Sequence, residues 1–186
     1  LKNIFINRFK LVITDKLTFI PLYAILLFLI YRKLGVKSLL LIVVIVAVMI
    51  TFTDQITNLF KYILIKRSRP CREDHLKEVI RFIASGCGRY GFFSGHAANS
   101  MAAAVFAGLL LKPYYKNLGF ILLFWSALVA YSRIYVGVHY PGDVVFGALL
   151  GYCIAWILLS IWVILKMREL KRGRTWVWYT SDTINK

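Results

Sequence analysis

The sequence predicts an all-α fold, a bundle of membrane-spanning helices, from its composition and from the lengths of its apolar stretches. Hydrophobic residues make up 60% of the 186 positions, well above the roughly 45–50% that is typical of soluble domains. Five apolar stretches approach or exceed the roughly 20 residues that a helix needs to cross the hydrocarbon layer. Basic residues lie mostly between these stretches. We therefore expect a polytopic transmembrane helical bundle with about five spans.

The expected spans follow one another along the chain. The first covers residues 17–31 and is closed by Arg32 and Lys33, whose aliphatic stems can lie along the apolar face while their charges reach the interface. The others cover residues 38–65, 95–111, 118–138 and 141–166. Small residues dominate the third span, which suits close helix packing in lipid.

Polar residues interrupt the second half of the second span, namely Asp54, Gln55, Asn58 and Lys61. Such groups are costly in hydrocarbon unless they face other helices or a wet cavity. This half of the helix is therefore expected to line a cavity. A small permease or channel is an alternative function that would use the same residues.

Two shorter segments flank the expected membrane domain, which covers residues 17–166. Residues 1–16 mix apolar side chains with lysines and arginines, as an amphipathic segment on a membrane surface does. Residues 167–186 are expected to form a basic polar tail.

The net charge limits the classes of partner. Lysine and arginine number 24 against 8 acidic residues, which gives a formal net charge of +16. Many basic chains bind nucleic acid, but here the charges stand between apolar runs and form no groove-sized face. The expected partners are the membrane and an anionic phospholipid or lipid-linked phosphate, with no nucleic acid. Basic residues are nearly equal in number on the two sides of the bundle, so this count does not orient the chain.

The cysteines form no zinc motif. Cys71 and Cys87 share one polar loop and could form a disulfide if that loop faces an oxidising compartment. Cys153 lies inside an apolar run, where a small packed residue is expected. A zinc hydrolase is further disfavoured because His96 and His139 lack the close spacing of a zinc site on one helix.

The residues best suited to chemistry form three clusters. Alternation of five spans puts the loop at 66–94 and the turn at 133–141 on one face of the bundle. The clusters are Lys61, Lys66, Arg67, Arg69 and Pro70; Phe93, Ser94, Gly95 and His96; and Ser132, Arg133, His139 and Asp143. Their convergence predicts a single site at the membrane surface.

Each cluster contains groups that suit a phosphate. Arg69 and Arg133 can present planar forks of donors to phosphate oxygens, and Lys61 can add a compact positive charge. Ser94 precedes a helix start, where its hydroxyl can cap the helix and free backbone N–H groups form an anion pocket. Gly95 leaves room for an oxygen to approach the backbone.

The histidines can divide the remaining chemistry. Pro141 suits the first position of a helix, which puts Asp143 in the first turn. From there its carboxylate can bind one imidazole nitrogen of His139 and leave the other nitrogen to attack phosphorus. His96 could then donate a proton to the departing oxygen.

These residues also have simpler interpretations. Lys66 and Arg67 can act only as anchors at the interface, Ser94 only as a helix cap, and His75 as a satisfied polar group. An intramembrane serine protease built on Ser94 and His139 is another alternative, but the sequence lacks the usual Gly-x-Ser-x-Gly motif. Convergence of the three clusters favours the phosphate site.

The clusters resemble the signature of the type 2 phosphatidic acid phosphatase superfamily, which also contains the vanadium haloperoxidases. The last part of that signature is Ser-Arg, five residues, His, three residues and Asp, which Ser132-Arg133, His139 and Asp143 match in full. The middle part, Pro-Ser-Gly-His, is matched at 94–96, with Phe93 in place of proline. The resemblance covers roughly residues 50–165, and the apolar runs favour the membrane branch over the soluble haloperoxidases.

The first part of the signature, Lys, six residues and Arg-Pro, is matched less well. Arg69 is followed by proline, but seven residues separate it from Lys61. Either a one-residue bulge in the helix restores the position of Lys61, or Lys66 or Arg67 takes over. Of these we expect Lys61.

The resemblance implies a lipid phosphatase that needs no metal and no other cofactor. His139 would form a phosphohistidine that water hydrolyses, Asp143 would orient it, and His96 would be the general acid. The groups that would hold the phosphoryl oxygens are Lys61, Arg69, Ser94, the Gly95 backbone N–H and Arg133.

The resemblance leaves the lipid open. Members of the family in Gram-negative bacteria act on undecaprenyl diphosphate, phosphatidylglycerophosphate or the phosphates of lipid A. We expect a phosphate of lipid A or undecaprenyl diphosphate, with phosphatidylglycerophosphate or phosphatidic acid as alternatives. The expected location is the bacterial inner membrane, with the active site on the periplasmic face.

Overall fold

The computed structural model describes residues 16–76 and 86–172, which form helices joined by short loops. A 3-10 turn, Lys16–Phe19, leads into α1 (Ile20–Leu59), which continues as the π-helical turn Phe60–Leu64. After the 3-10 turns Pro70–Arg72 and Asp74–Leu76 come α2 (Gly95–Leu110), α3 (Leu118–Tyr135) and α4 (Pro141–Lys171). Nearly all of the expected surface segment and most of the expected tail lie outside the described residues.

α1 consists of two helices, because the backbone breaks at Gly35. There φ is 78° and ψ is 171°, a conformation that glycine adopts without steric cost. Phe19 and Ile50, on either side of the break, line the same cavity, whereas a straight helix would hold them about 46 Å apart at 1.5 Å per residue. The chain therefore turns back at Gly35 and forms an antiparallel hairpin, which matches the prediction of separate helices before and after this position.

α2 packs against both α3 and α4, and small residues make the close approach possible. A Cβ added to Gly108 would lie 2.9 Å from the Cα of Gly119, and one added to Gly147 would lie 2.5 Å from the carbonyl oxygen of Ser94. The buried alanines of α2 include Ala97, Ala98, Ala102 and Ala104. The predicted close packing of this helix is confirmed.

Replacing Gly147 by alanine is expected to destabilise the protein by about 1–3 kcal/mol, because an added methyl group in a packed interface forces its neighbours apart. Gly142→Ala is the matched control on the same helix, since nothing lies within 4 Å of a Cβ added there. Thermal unfolding of the two variants in detergent measures the difference. Equal melting temperatures would show that the α2–α4 contact is looser than described.

Large apolar side chains cover the outside of the bundle. Phe120 is 76% exposed, Phe124 67% and Ile63 65%, a surface that suits lipid and not water. Cys153 of α4 is also exposed, so the expectation of a packed cysteine was wrong, because this position of the helix faces outward.

Among the described residues, three stretches are long and apolar enough to cross a membrane, by length and composition: Ile20–Leu64, Leu118–Tyr135 and Pro141–Arg168. The first contains the break at Gly35, and α2, at 16 residues, is shorter than any of them. The described part of the chain is an all-helical membrane protein, while the number of about five spans stays a prediction.

The loop before α2 is tied together at the end of the bundle where α2 and α4 begin. Cys71 and Cys87 form a disulfide, a pairing that the sequence left open. Ser68 and Tyr90 form an isolated antiparallel β-bridge, and the Gly91 N–H donates to the carbonyl oxygen of Arg67 at 3.0 Å. These links hold the two arms of the loop side by side.

Candidate active site

A cavity of about 520 Å³ lies among α1, α2, α3 and the turn before α4. The predicted site residues that line it are Lys61, Arg69, Gly95, His96, Arg133 and His139. The other two, Ser94 and Asp143, are 0% exposed and lie outside this lining. The structure therefore brings together residues from all three clusters.

Lys61 lies in the π-helical turn Phe60–Leu64. A π-helical turn accommodates one extra residue in a helix, which is the bulge that the long spacing between Lys61 and Arg69 requires. The side chain of Lys61 lines the cavity, and its Nζ lies 3.6 Å from the position that a Cβ on Gly95 would occupy. Lys66 is exposed and does not line the cavity, so the geometry favours Lys61.

Replacing Lys61 by alanine is expected to lower kcat/KM for phosphate release about 100-fold, because the predicted contact of a preorganised positive charge with the phosphoryl oxygens is lost. Lys66→Ala is the matched control and is expected to change kcat/KM less than threefold. Steady-state phosphate release measures both. A loss in the Lys66 variant as large as that in the Lys61 variant would contradict this assignment.

Two arginines add to the positive wall of the cavity. Arg69 donates from Nε to the carbonyl oxygen of Tyr90 at 2.9 Å, which fixes the side chain within the loop. Arg133, in the last turn of α3, is 7% exposed. Burial lowers the pKa of the Arg69 guanidinium. Both groups are largely removed from water, and an oxyanion between them would be bound strongly because little water competes.

The N-terminus of α2 lies at the same cavity as these cations. Ser94 is the N-cap residue, and its Oγ accepts from the N–H of Ala97 at 3.4 Å. Its own N–H donates to the carbonyl oxygen of Asp143 at 2.9 Å, which ties α2 to α4. Gly95 and His96, the first residues of the helix, line the cavity. The contact between Ser94 and a phosphoryl oxygen stays a prediction, and a serine nucleophile gains no support from this buried cap.

His139 and Asp143 form the pair that their spacing predicts. His139 lies in the turn between α3 and α4 and is 4% exposed. Its Nδ1 lies 3.3 Å from Oδ2 of Asp143, which is in the first turn of α4. Since Nδ1 is occupied in this way, Nε2 is the nitrogen that can react at the cavity.

The surroundings of His139 keep its imidazole neutral. Burial and the positive charges of Arg69, Lys61 and Arg133 lower its pKa well below the usual value. A neutral imidazole has a free lone pair, which is the state that attacks phosphorus. His139 is therefore ready to react at neutral pH in the absence of a bound anion.

Arg67 has a role that the sequence did not reveal. Its Nη2 forms an ion pair with Oδ1 of Asp143, while Oδ2 of the same carboxylate accepts from the N–H of Tyr140 at 3.0 Å. The guanidinium also lies over the rings of Phe92 and Tyr140, 5.2 and 4.7 Å from their centroids. These contacts fix the carboxylate that orients His139. The sequence suggested Arg67 only as an interface anchor or as a substitute for Lys61, because its partner lies 76 positions away.

The inner part of the cavity is lined by further polar and aromatic residues. Asp54 and Asn58 line it, as expected for the polar half of the second span, whereas Gln55 is exposed and does not. Asn99 and Trp125 also line it and were not predicted. Asn99 donates from Nδ2 to Oδ1 of Asp54 at 3.0 Å. An asparagine among the small residues of α2 was the only signal for this contact in the sequence.

The described part of the chain contains no cluster of metal ligands. Within residues 16–76 and 86–172, no group of three or more His, Cys, Asp or Glu side chains could hold a metal ion. The cations Lys61, Arg69 and Arg133 line the cavity, and their positive charges act on His139. A set of cations of this kind can bind an oxyanion directly.

Comparisons with known proteins point to one family. The sequence signature described as the PAP2 superfamily matches residues 38–166. The chain is similar to a lipid A 4'-phosphatase of Bacteroides thetaiotaomicron, 36% identical over 159 residues, which are 84% of this chain and 70% of that protein. A lipid A 4'-phosphatase of Porphyromonas gingivalis is 29% identical over 171 residues, 89% of this chain and 70% of that protein.

Two further similarities cover a shorter stretch of the sequence or concern the fold. An undecaprenyl-diphosphatase of Sulfolobus acidocaldarius is 42% identical over 72 residues, 39% of this chain and 34% of that protein. Among solved structures, the fold is similar to a transmembrane PAP2 type phosphatidylglycerolphosphate phosphatase from Bacillus subtilis, with a TM-score of 0.66 and 20% identity. That match covers 84% of this chain and 76% of the other.

Proposed function

Because this chain belongs to the PAP2 superfamily and is a membrane lipid phosphatase of that family, we propose that it removes a phosphate from lipid A through a phosphohistidine on His139. The observation that carries the mechanism is the His139–Asp143 pair, which borders a cavity lined by His96 and several cations. The similarity to two lipid A 4'-phosphatases supports the substrate.

In the first step, Nε2 of His139 attacks phosphorus and the bond from phosphorus to the lipid oxygen breaks. His96 donates a proton to that oxygen, so the lipid leaves as an alcohol. Asp143 stabilises the positive charge that develops on the imidazole of His139. Lys61, Arg69 and the other predicted phosphate ligands stabilise the negative charge on the phosphoryl oxygens.

In the second step, water attacks the phosphohistidine. His96, now neutral, takes a proton from that water, and the bond between phosphorus and Nε2 breaks. Inorganic phosphate is released and His139 returns to its starting state. His96 loses one proton in the first step and gains one in the second, so it returns to its starting state.

Phosphate release by the purified protein is expected to continue in excess chelator, because cationic side chains and a histidine nucleophile take the roles that a metal ion would have. The assay compares lipid A, undecaprenyl diphosphate, phosphatidylglycerophosphate and phosphatidic acid. Vanadate is expected to inhibit, because it mimics five-coordinate phosphorus. Activity that is lost with the chelator and restored by magnesium or zinc would contradict the metal-free mechanism.

Undecaprenyl diphosphate is the second candidate substrate. It is favoured by the 42% identity to an undecaprenyl-diphosphatase, although that similarity covers only 72 residues. The same mechanism would break the bond between its two phosphates. A higher kcat/KM for undecaprenyl diphosphate than for lipid A would select this candidate.

We also propose a topology of five spans with the active site on the periplasmic face of a bacterial inner membrane. The hairpin at Gly35 supports two spans before the π-helical turn, and α2, α3 and α4 supply the others. The Cys71–Cys87 disulfide supports an oxidising compartment on the side of the site. Labelling of reduced Cys71 by an impermeant thiol reagent only from the cytoplasmic side would contradict this orientation.

A further inference from the structure

We propose that Asp54, Asn58 and Asn99, with Trp125 as an aromatic wall, form a subsite that binds the sugar ring bearing the scissile phosphate. The proposal rests on the proposed function, because it concerns the part of the substrate next to the phosphate. It assigns a specificity role to residues that the mechanism above does not use.

The positions of these residues place the subsite directly beside the phosphate site. Asn58 lies about one helical turn before Lys61, roughly 5 Å along the helix. Asp54 lies about two turns before Lys61, roughly 10 Å along the helix. Asn99 follows His96 by about one turn on α2. All of these side chains line the same cavity as His139. A group attached to a phosphate at His139 can therefore reach them.

The chemistry of the inner cavity suits a ring that carries hydroxyl groups. Asp54 accepts from Asn99 through Oδ1, so this carboxylate is held in one orientation, and carboxylate and amide groups bind hydroxyls. Trp125 is fixed by edge contacts with Phe19 and Tyr23, at 5.3 and 6.1 Å between ring centroids. A sugar ring has polar hydroxyl edges and apolar C–H faces, which match these two kinds of lining.

The same residues disfavour a polyprenyl diphosphate. The negative charge of Asp54 would repel a second phosphate group placed in the inner cavity. An isoprenoid chain in that position would instead leave Asp54, Asn58 and Asn99 facing hydrocarbon without hydrogen bonds from the ligand, which is costly. A sugar satisfies these groups and adds no charge repulsion.

Asp54 and Asn99 also join α1 to α2, and this gives the proposal a structural alternative. Thr53 Oγ1 binds Oδ1 of the same Asn99 side chain, so the contact could serve only to hold the two helices together. In that case its loss would weaken the turnover of every substrate to the same degree. The ratio of rates on two substrates therefore separates the two roles.

The test compares kcat/KM for lipid A with kcat/KM for phosphatidic acid, which has no sugar. In Asp54→Asn and in Asn58→Ala, the ratio of lipid A to phosphatidic acid is expected to fall at least tenfold, because hydrogen bonds to the sugar are lost. Asn58→Ala provides a second variant if the Asp54 variant unfolds. Asn117→Ala, before α3 and outside the cavity lining, is the control and should leave the ratio unchanged.

Outcomes that overturn the subsite differ from outcomes that overturn the proposed function. Equal losses on both lipids in both variants, with melting temperatures lowered, would show a structural role only. A wild-type protein that hydrolyses undecaprenyl diphosphate in preference to lipid A would also overturn the subsite, while leaving the phosphatase mechanism in place. A wild-type protein that releases phosphate from no lipid would overturn the proposed function itself.

Discussion

Replacing His139 by alanine is expected to reduce phosphate release by about three orders of magnitude or more, because the proposed nucleophile is lost. The neutral imidazole is oriented by Asp143 at the edge of a positively charged cavity. Steady-state release from lipid A measures the effect. Rapid quenching of the wild-type reaction with lipid labelled in its phosphate should trap labelled phosphate on the protein. The His139 variant should trap none.

The His139 variants also need a test of folding, because the side chain is buried. His139→Gln keeps a polar side chain of similar reach and is expected to be as inactive as the alanine variant. An unchanged melting temperature in either variant would assign the loss to chemistry. A folded variant that retains a tenth of the wild-type rate would rule out His139 as the nucleophile.

Replacing His96 by alanine is expected to lower kcat on lipid A by roughly 100- to 10,000-fold, the usual range for loss of a general acid. The effect should depend on the leaving group, because a lipid alcohol is a poor leaving group without a proton. On an aryl phosphate such as p-nitrophenyl phosphate the first step needs little protonation, so the loss should be much smaller. The measurement is the fold loss of kcat on lipid A divided by the fold loss of kcat on the aryl phosphate.

His75→Ala is the matched control for His96. His75 is exposed in the 3-10 turn Asp74–Leu76 and does not line the cavity, so its replacement should leave both rates unchanged. Equal losses on lipid A and on the aryl phosphate in the His96 variant would mean that His96 binds the phosphoryl group and does not act as the acid.

Much of the fold follows from local properties of the chain. An apolar stretch in lipid forms a helix because all of its backbone hydrogen bonds can be made within the segment. Hydropathy therefore placed the starts of α2, α3 and α4 at residues 95, 118 and 141, as the structure has them. The break between the first two helices was located only to residues 32–37, although Gly35 is the one glycine in that stretch and glycine is a common signal of a turn.

The site was predictable to the extent that its residues act through their own spacing. His139 and Asp143 are four positions apart at a helix start, and Ser94 stands directly before another helix, so short-range geometry places them. The spacing between Lys61 and Arg69 allowed either a bulged helix with Lys61 at the site or a substitution by Lys66 or Arg67. The π-helical turn that favours Lys61 is visible only in the structure.

The sequence by itself determined an all-helical membrane protein and the residues of a cationic, histidine-bearing site, because hydropathy and motif spacing act within single segments. Only the tertiary structure decided that Arg67 holds Asp143 and that Asn99 meets Asp54 inside the cavity. These contacts join residues 76 and 45 positions apart. Their formation depends on how the helices pack against one another, and no local pattern along the chain specifies that packing.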